Sequence, residues 1–213
     1  RVDNLLHADE IYQLRSLLEQ RLCRENRRAG YDAEFSLVEL AGAMAGRFRQ
    51  GGFLERTSDR QDFINRFVDI ELIVEKEVQR INKELVNLLK YCHDKGVSTA
   101  IISDFYLSGR YFHDLIVYHG LENHVDHLFV SADHLITKGH GGRLYEIAAK
   151  AIGCKPEQMI MIGDNPHADG AQAAARGLTA YCVKHPPAIT LQRSGDFRRI
   201  DEALRNNRAP FFA

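Results

Sequence analysis

Met159-Ile160-Met161-Ile162-Gly163-Asp164-Asn165-Pro166-His167-Ala168-Asp169 is the stretch whose reading decides the fold. Four apolar residues ending at Gly163 fit a short strand buried on both faces. Asp164 and Asp169 leave its carboxyl end, with Asn165 and Pro166 turning the chain between them. Ala168 to Arg176 then reads as a small-residue helix closed by Gly177. Two carboxylates at the carboxyl edge of a parallel strand suit a hard divalent cation, which prefers oxygen ligands. That edge is also where open α/β sheets bind their ligands. Taken alone, the same residues also fit an Asn-Pro turn with a helix-capping Asp, so their neighbours must decide.

Working outward, strand and helix signals alternate at short spacing. Val97 to Ile102 is a β-type run that ends in Ser103-Asp104. Ser108 can cap a helix carrying Tyr111, Phe112, Leu115 and Ile116, which stops at Gly120. His127 to Val130 reads as a second strand, Leu144 to Ile152 as a helix ending at Gly153, and Thr179 to Val183 as a fourth strand. This alternation predicts parallel βα units, that is, a Rossmann-like α/β core.

Before residue 96 the texture is helical. All five prolines fall after residue 155. Ile11, Leu14, Leu18 and Leu22 form one helical stripe, and Leu37, Leu40, Ala41, Met44 and Phe48 form another. Ser58 and Gln61 fit a capping box ahead of a helix carrying Phe63, Phe67 and Val68. A long helix is expected from Glu71 to Lys95, with Val74, Val78, Ile81, Leu85, Leu88, Leu89 and Cys92 on one face and Gly96 as its stop. The organisation expected is a helical, cap-like segment over residues 1–90, an α/β core over 91–190 and a tail over 191–213, with one helix near Phe197 to Leu204. No Gly/Ser/Pro linker divides the first two.

The chain has 28 Lys and Arg against 29 Asp and Glu, a net charge of −1 that gives no electrostatic case for nucleic acid. Cys23, Cys92, Cys154 and Cys182 lack CxxC spacing, which fits a reduced, cytoplasmic chain. No apolar run approaches membrane-spanning length. His119, His124 and His127 lie close together but lack a Cys or carboxylate at zinc spacing. His140 and His167 fall in the two loops that carry the chemistry below.

Three positions line up at strand ends. Ser103 ends the first strand, Lys138 lies in the loop Thr137-Lys138-Gly139-His140-Gly141-Gly142, and Asp164 and Asp169 follow the third strand. In a parallel sheet these ends converge on one edge. A hydroxyl, an ammonium and an acid-held divalent cation together suit a phosphoryl group. The hydroxyl and ammonium meet phosphate oxygens, while Mg2+ neutralises the remaining charge and orients the group for in-line attack. No G-x-G-x-x-G follows a strand, which argues against a dinucleotide-binding protein.

On these residues the sequence resembles the haloacid dehalogenase superfamily of phosphohydrolases. Ile101-Ile102-Ser103-Asp104 is similar to its second motif, Lys138 to its third, and Gly163-Asp164-Asn165-Pro166-His167-Ala168-Asp169 to its fourth. Tyr106-Leu107-Ser108 and Gly142-Arg143-Leu144-Tyr145 resemble a subgroup found near polysaccharide and glycosyltransferase functions. The resemblance implies phosphate on Ser103, Asp104 and Lys138, with Ser103 and Lys138 in catalysis. It implies magnesium on Asp164 and Asp169 with Asn165 supporting them, and a helical cap that selects a small phosphorylated metabolite. It covers residues 97–183.

The superfamily's first motif, an apolar strand ending in Asp-x-Asp that carries the nucleophile, has no match. Asp3, Asp9 and Glu10 follow no apolar strand, and Asp104 fits the second motif better. The expectation is about 15 to 20 residues ahead of Arg1, one strand and its loop, the strand filling the middle of the sheet between the strands ending at Ser103 and Asp164. Arg208 to Phe212 is the alternative occupant of that slot. The activity expected is magnesium-dependent hydrolysis of a small phosphate monoester, sugar phosphates included, through an aspartyl-phosphate. The alternative is a non-catalytic phosphate- or metal-binding or regulatory domain of a polysaccharide-assembly protein.

Overall fold

The computed structural model describes residues 8–54 and 56–184. Asp3, the expected helix near Phe197 to Leu204 and the segment Arg208 to Phe212 lie outside them.

Four helices come first: α1 (Ala8–Arg28), α2 (Leu37–Gln50), α3 (Thr57–Val78) and α4 (Lys83–Asp94). The apolar stripes read from the sequence are the ones that pack. Leu14 and Leu18 of α1, Leu37, Leu40, Met44 and Phe48 of α2, and Val68 of α3 form one buried cluster. Each such side chain contributes about 1.5–3 kcal/mol by leaving water. Ile11, at the start of the α1 stripe, stays exposed.

The chain then alternates β1 (Ala100–Ser103), α5 (Gly109–Tyr118), β2 (His127–Val130), the single turn α6 (Ser131–His134), α7 (Arg143–Ile152), β3 (Ile160–Gly163) and β4 (Thr179–Cys182). Both strand pairs are parallel, β1 with β2 and β3 with β4, in separate two-stranded sheets. No ladder joins β1 to β3 among the described residues. A single apolar cluster nonetheless spans both pairs, with Ile102 and Phe129 on one side, Leu178, Met159 and Met161 on the other, and Leu144, Tyr145 and Ala148 of α7 between. This is the α/β core that the strand and helix alternation predicts.

Five local expectations are corrected. The long helix expected over Glu71–Lys95 is broken between α3 and α4. Gln79 is extended (φ −67°, ψ 142°), and the Asn82 side chain accepts the Glu84 and Leu85 N–H groups to start a new helix. α3 begins at Thr57, where the Asp59 carboxylate accepts the Arg56 N–H at 2.8 Å, so a box running from Ser58 to Gln61 falls inside the helix. The first strand starts at Ala100 rather than Val97, which is exposed. The Ser108 side chain makes no cap bond; Asp133 caps α5 instead, accepting the Gly109 N–H at 2.9 Å. Finally, β3 is not covered on both faces by the described residues, since Ile160 is 64% exposed.

Candidate phosphate site at the strand ends

The site grows from β3. Gly163 ends that strand, and a Cβ built there would lie 2.7 Å from the Asp169 Cβ, so the close approach of Asp169 requires glycine. After the strand, Asn165 Oδ1 accepts the N–H groups of His167 and Ala168, both at 3.0 Å. Its backbone oxygen accepts the N–H of both Asp169 and Gly170. The result is a π-helical stretch, Pro166–Gln172, in place of the first part of the α-helix expected over Ala168–Arg176. Only Ala173–Ala175 continues as an α-helix, and Gly177 (φ +88°) ends it. π-turns of this kind concentrate at functional sites.

Lys138 is the hub. Its side chain is buried, with only 8% of the residue exposed, and Nζ donates to Asp169 Oδ1 at 2.6 Å. A buried ammonium costs several kcal/mol unless it is paired, and Asp169 is the pair. The Asp169 Oδ2 atom also accepts the Asn165 N–H. On the other side, both oxygens of Asp104 accept backbone N–H groups, from Lys138 at 2.7 Å and from Gly139 at 2.9 Å. Lys138 therefore links the residue after Ser103 to the acids after β3. Ser103 itself is the last rung of the β1–β2 ladder, opposite Val130. Asp164 stands exposed at the end of β3.

These bonds show what the residues read from the sequence touch. Ser103, Lys138, Asp164 and Asp169 stand at the carboxyl ends of β1 and β3 and on the loop between them. Asp104 has both oxygens on the backbone of the Lys138 loop, so it sets the loop. Asn165 has its side-chain oxygen on the helix start. Asp169 is engaged as well, by Lys138 Nζ and the Asn165 N–H, and Asp164 is the exposed acid beside it. Among the described residues no three His, Cys, Asp or Glu side chains form a metal cluster. Two carboxylates still fit magnesium, which takes one or two from the protein and completes its shell with water and substrate phosphate. Of the two histidines in the site loops, His167 has a contact that joins them. Its Nε2 lies 2.9 Å from Gly139 O, an atom that can only accept, so Nε2 carries the proton.

The motif tyrosine, Tyr145, is fully buried, and its hydroxyl donates to Ala168 O at 2.9 Å, holding the π-helical stretch against α7. Burial, reinforced by the nearby carboxylates of Asp169 and Asp104, raises its pKa well above the ordinary phenol value.

Two acids of the α1–α2 loop belong to the surroundings of the site and have no motif to mark them. Asp32 is 1% exposed; it accepts the Thr137 N–H at 2.7 Å and pairs with Arg143. Burial alone would raise its pKa, but the Thr137 N–H and the Arg143 guanidinium outweigh it and hold the acid below the usual range. Glu34 Oε2 accepts the Ser131 hydroxyl at 2.6 Å, and that hydroxyl oxygen accepts the Phe105 N–H. Here burial wins over the Ser131 and Phe35 donors, and the Glu34 pKa is raised. Two clefts lie elsewhere and include no site residue. One, of about 220 Å³, lies against β2 near His113 and Asp126, and one of about 630 Å³ lies along α3 near Asp62 and Phe63.

Comparison with known proteins shows what the chain is similar to. A curated phosphoserine phosphatase of Thermus thermophilus is 26% identical over 171 residues, 76% of this chain and 68% of that protein. Among solved structures, a 2-haloacid dehalogenase from Pseudomonas syringae superposes with a TM-score of 0.60 at 16% identity, over 86% of this chain and 76% of that one. The L-2-haloacid dehalogenase of Xanthobacter autotrophicus, with chloropropionic acid covalently bound, gives 0.52 at 15% identity, over 85% and 66%. At those identities the two structures speak for the fold. No described helix is long and apolar enough to cross a membrane. The family model for haloacid dehalogenase-like hydrolases matches residues 14–177, and the chain belongs to that family.

Proposed function

We propose that the chain is a phosphatase of this family, hydrolysing a small phosphate monoester with magnesium. The observation that carries the reading is Lys138, whose buried ammonium pairs with Asp169 while its backbone N–H is held by Asp104 at the end of β1. A compact positive charge held on a loop at the strand ends suits a phosphoryl oxygen. The phosphoserine phosphatase relative supports a small phosphorylated substrate.

Each residue then has a task. Lys138 and Ser103 bind phosphate oxygens and orient the phosphorus. Asp104 holds the Lys138 loop by its two amides. Asp164 and Asp169 would hold Mg2+, with Asn165 fixing their loop; the cation neutralises phosphate charge when bound. Helices α1 to α4 would serve as the cap that selects the substrate. The attacking carboxylate would come from a strand between β1 and β3, which share no ladder among the described residues. Turnover would pass through an aspartyl-phosphate on that strand. The four cysteines are unpaired, in keeping with a cytoplasmic protein.

A second reading, a phosphate-binding domain without turnover, is favoured by one observation. No described carboxylate ends an apolar strand in the manner of the superfamily's first motif. A panel of phosphate monoesters, with and without magnesium, separates the two. Turnover that Asp164→Ala and Lys138→Met each abolish, in variants with unchanged circular dichroism, supports the phosphatase. Phosphate affinity without turnover supports the binding domain, and turnover indifferent to both substitutions rejects the site.

A further inference from the structure

The loop joining α1 to α2 meets the two halves of the site at three places. Asp32 N–H donates to Leu135 O at 2.9 Å, and Leu37 N–H donates to Tyr106 O at 2.8 Å. Glu34 reaches Ser131, which in turn accepts the Phe105 N–H. The strongest tie is the Asp32 carboxylate. Its Oδ2 takes the Thr137 N–H at 2.7 Å and the Thr137 hydroxyl at 3.2 Å, and its Oδ1 meets Arg143. The Thr137 hydroxyl oxygen accepts the His140 N–H at 3.0 Å, so the same anchor spans the loop on both sides of Lys138.

The backbone just ahead of Thr137 gives a reason for an anchor. Leu135 has φ +52°, the left-handed region, and is the sole non-glycine residue with positive φ among those described. A leucine holds that conformation only where its surroundings impose it. The Asp32 N–H on Leu135 O and the Asp32 carboxylate on Thr137 grip the two ends of that kink. A charged acceptor with two donors and a guanidinium is among the stronger ties a loop can have.

We propose that Asp32 is a positioning residue, through which the helical half sets the Lys138 loop in its phosphate-gripping geometry. The inference rests on the phosphate reading above but concerns a residue outside its motifs. Asp32 does not touch phosphate; it acts through Thr137 on the placement of the Lys138 ammonium. The helical half is thereby a working part of the phosphate site as well as its cover.

Titrating the full chain with inorganic phosphate in the presence of magnesium, by calorimetry, tests this without relying on turnover. Asp32→Asn keeps the shape but removes the charge that holds Arg143 and both Thr137 donors. It is expected to weaken phosphate about tenfold, the equivalent of one good charge-assisted contact. Ser36→Ala is the matched control: it removes the α2 cap at the far end of the same loop, lowers the melting temperature and leaves phosphate affinity unchanged. Equal affinity in Asp32→Asn and wild type overturns the proposal, as does an equal loss in Ser36→Ala. Should Asp32→Asn not fold, Thr137→Val is expected to show the same tenfold loss, and unchanged affinity there overturns the proposal equally. A wild-type chain without phosphate affinity would instead end the phosphate reading itself, and the positioning role with it.

Discussion

The helical half and the α/β half close in different ways. Around Met44 the helices interlock so that Leu40, Ala41, Met44 and Ala45 have no exposure at all. Around β3 the sheet stays open, with Ile160 64% and Tyr181 59% exposed. The closed half carries little chemistry of its own, while the open half carries Ser103, Lys138, Asp164 and Asp169. Strand ends are what an α/β fold leaves for ligands, and a sheet in two pairs leaves more of them. The difference sets dense packing in one half against the strand ends that the phosphate reading uses in the other, with Asp32 and Glu34 as the seam.

The largest expected effect tests whether the seam makes one unit. Leu107 and Leu115, from the α/β half, sit in the same cluster as Met44. Met44→Ala should therefore cost about 2–5 kcal/mol by cavity formation and shift the whole urea transition. Far-ultraviolet dichroism and tyrosine near-ultraviolet signals should move together. Two separated transitions would mean that the halves fold apart.

Next in size is Gly163→Ala. The added methyl meets the Asp169 side chain, and overpacking of this kind costs about 1–3 kcal/mol. Because Asp169 pairs with Lys138, its displacement should abolish measurable phosphate binding while leaving helix content intact. Retained affinity would show that the Asp169–Lys138 pair is dispensable. A smaller effect belongs to the helical half alone. Ser36 caps α2 in a reciprocal box with Glu39, and Ser36→Ala should cost about 1 kcal/mol in a chemical denaturation.

Much of this was legible in the sequence, and what was not has physical causes. Strand β2 and the packed face of α2 carry one clear period each, and the site loops carry motifs whose chemistry is local. The break at Gln79–Asn82 is hidden because Val78, Ile81 and Leu85 continue the helical spacing across it; only the Asn82 cap betrays it. The π-helical turn after Pro166 depends on how Asp169 lies over Gly163, which no spacing encodes. Asp32 is illegible for a different reason. Its partner Thr137 is 105 residues away, and a buried acid within Gly30-Tyr31-Asp32-Ala33-Glu34 reads as a polar turn.

The finest comparison is between the two seam acids, whose pKa values move in opposite directions. Asp32 titrates below its ordinary range, because Thr137 and Arg143 outweigh the burial that opposes them. Its contribution to stability is present above the unfolded pKa of about 3.9 and is lost as pH falls through the lower, folded value. Glu34 titrates above its ordinary range, burial being the largest cause. Its neutral form is the one the fold prefers, so its contribution is present below the unfolded pKa of about 4.3 and is lost as pH rises through the folded value. Glu34→Gln keeps a neutral group that can still meet Ser131, and so should melt higher than wild type at pH 7. The gap should close below the unfolded pKa of about 4.3, where Glu34 is protonated in the folded and the unfolded chain alike. Asp32→Asn should melt lower than wild type at pH 7 and likewise converge with it in acid. Melting curves at several pH values read both signs. A Glu34→Gln protein no more stable than wild type at neutral pH would place the charge of Glu34 among the features the seam depends on, and the two acids would then be alike.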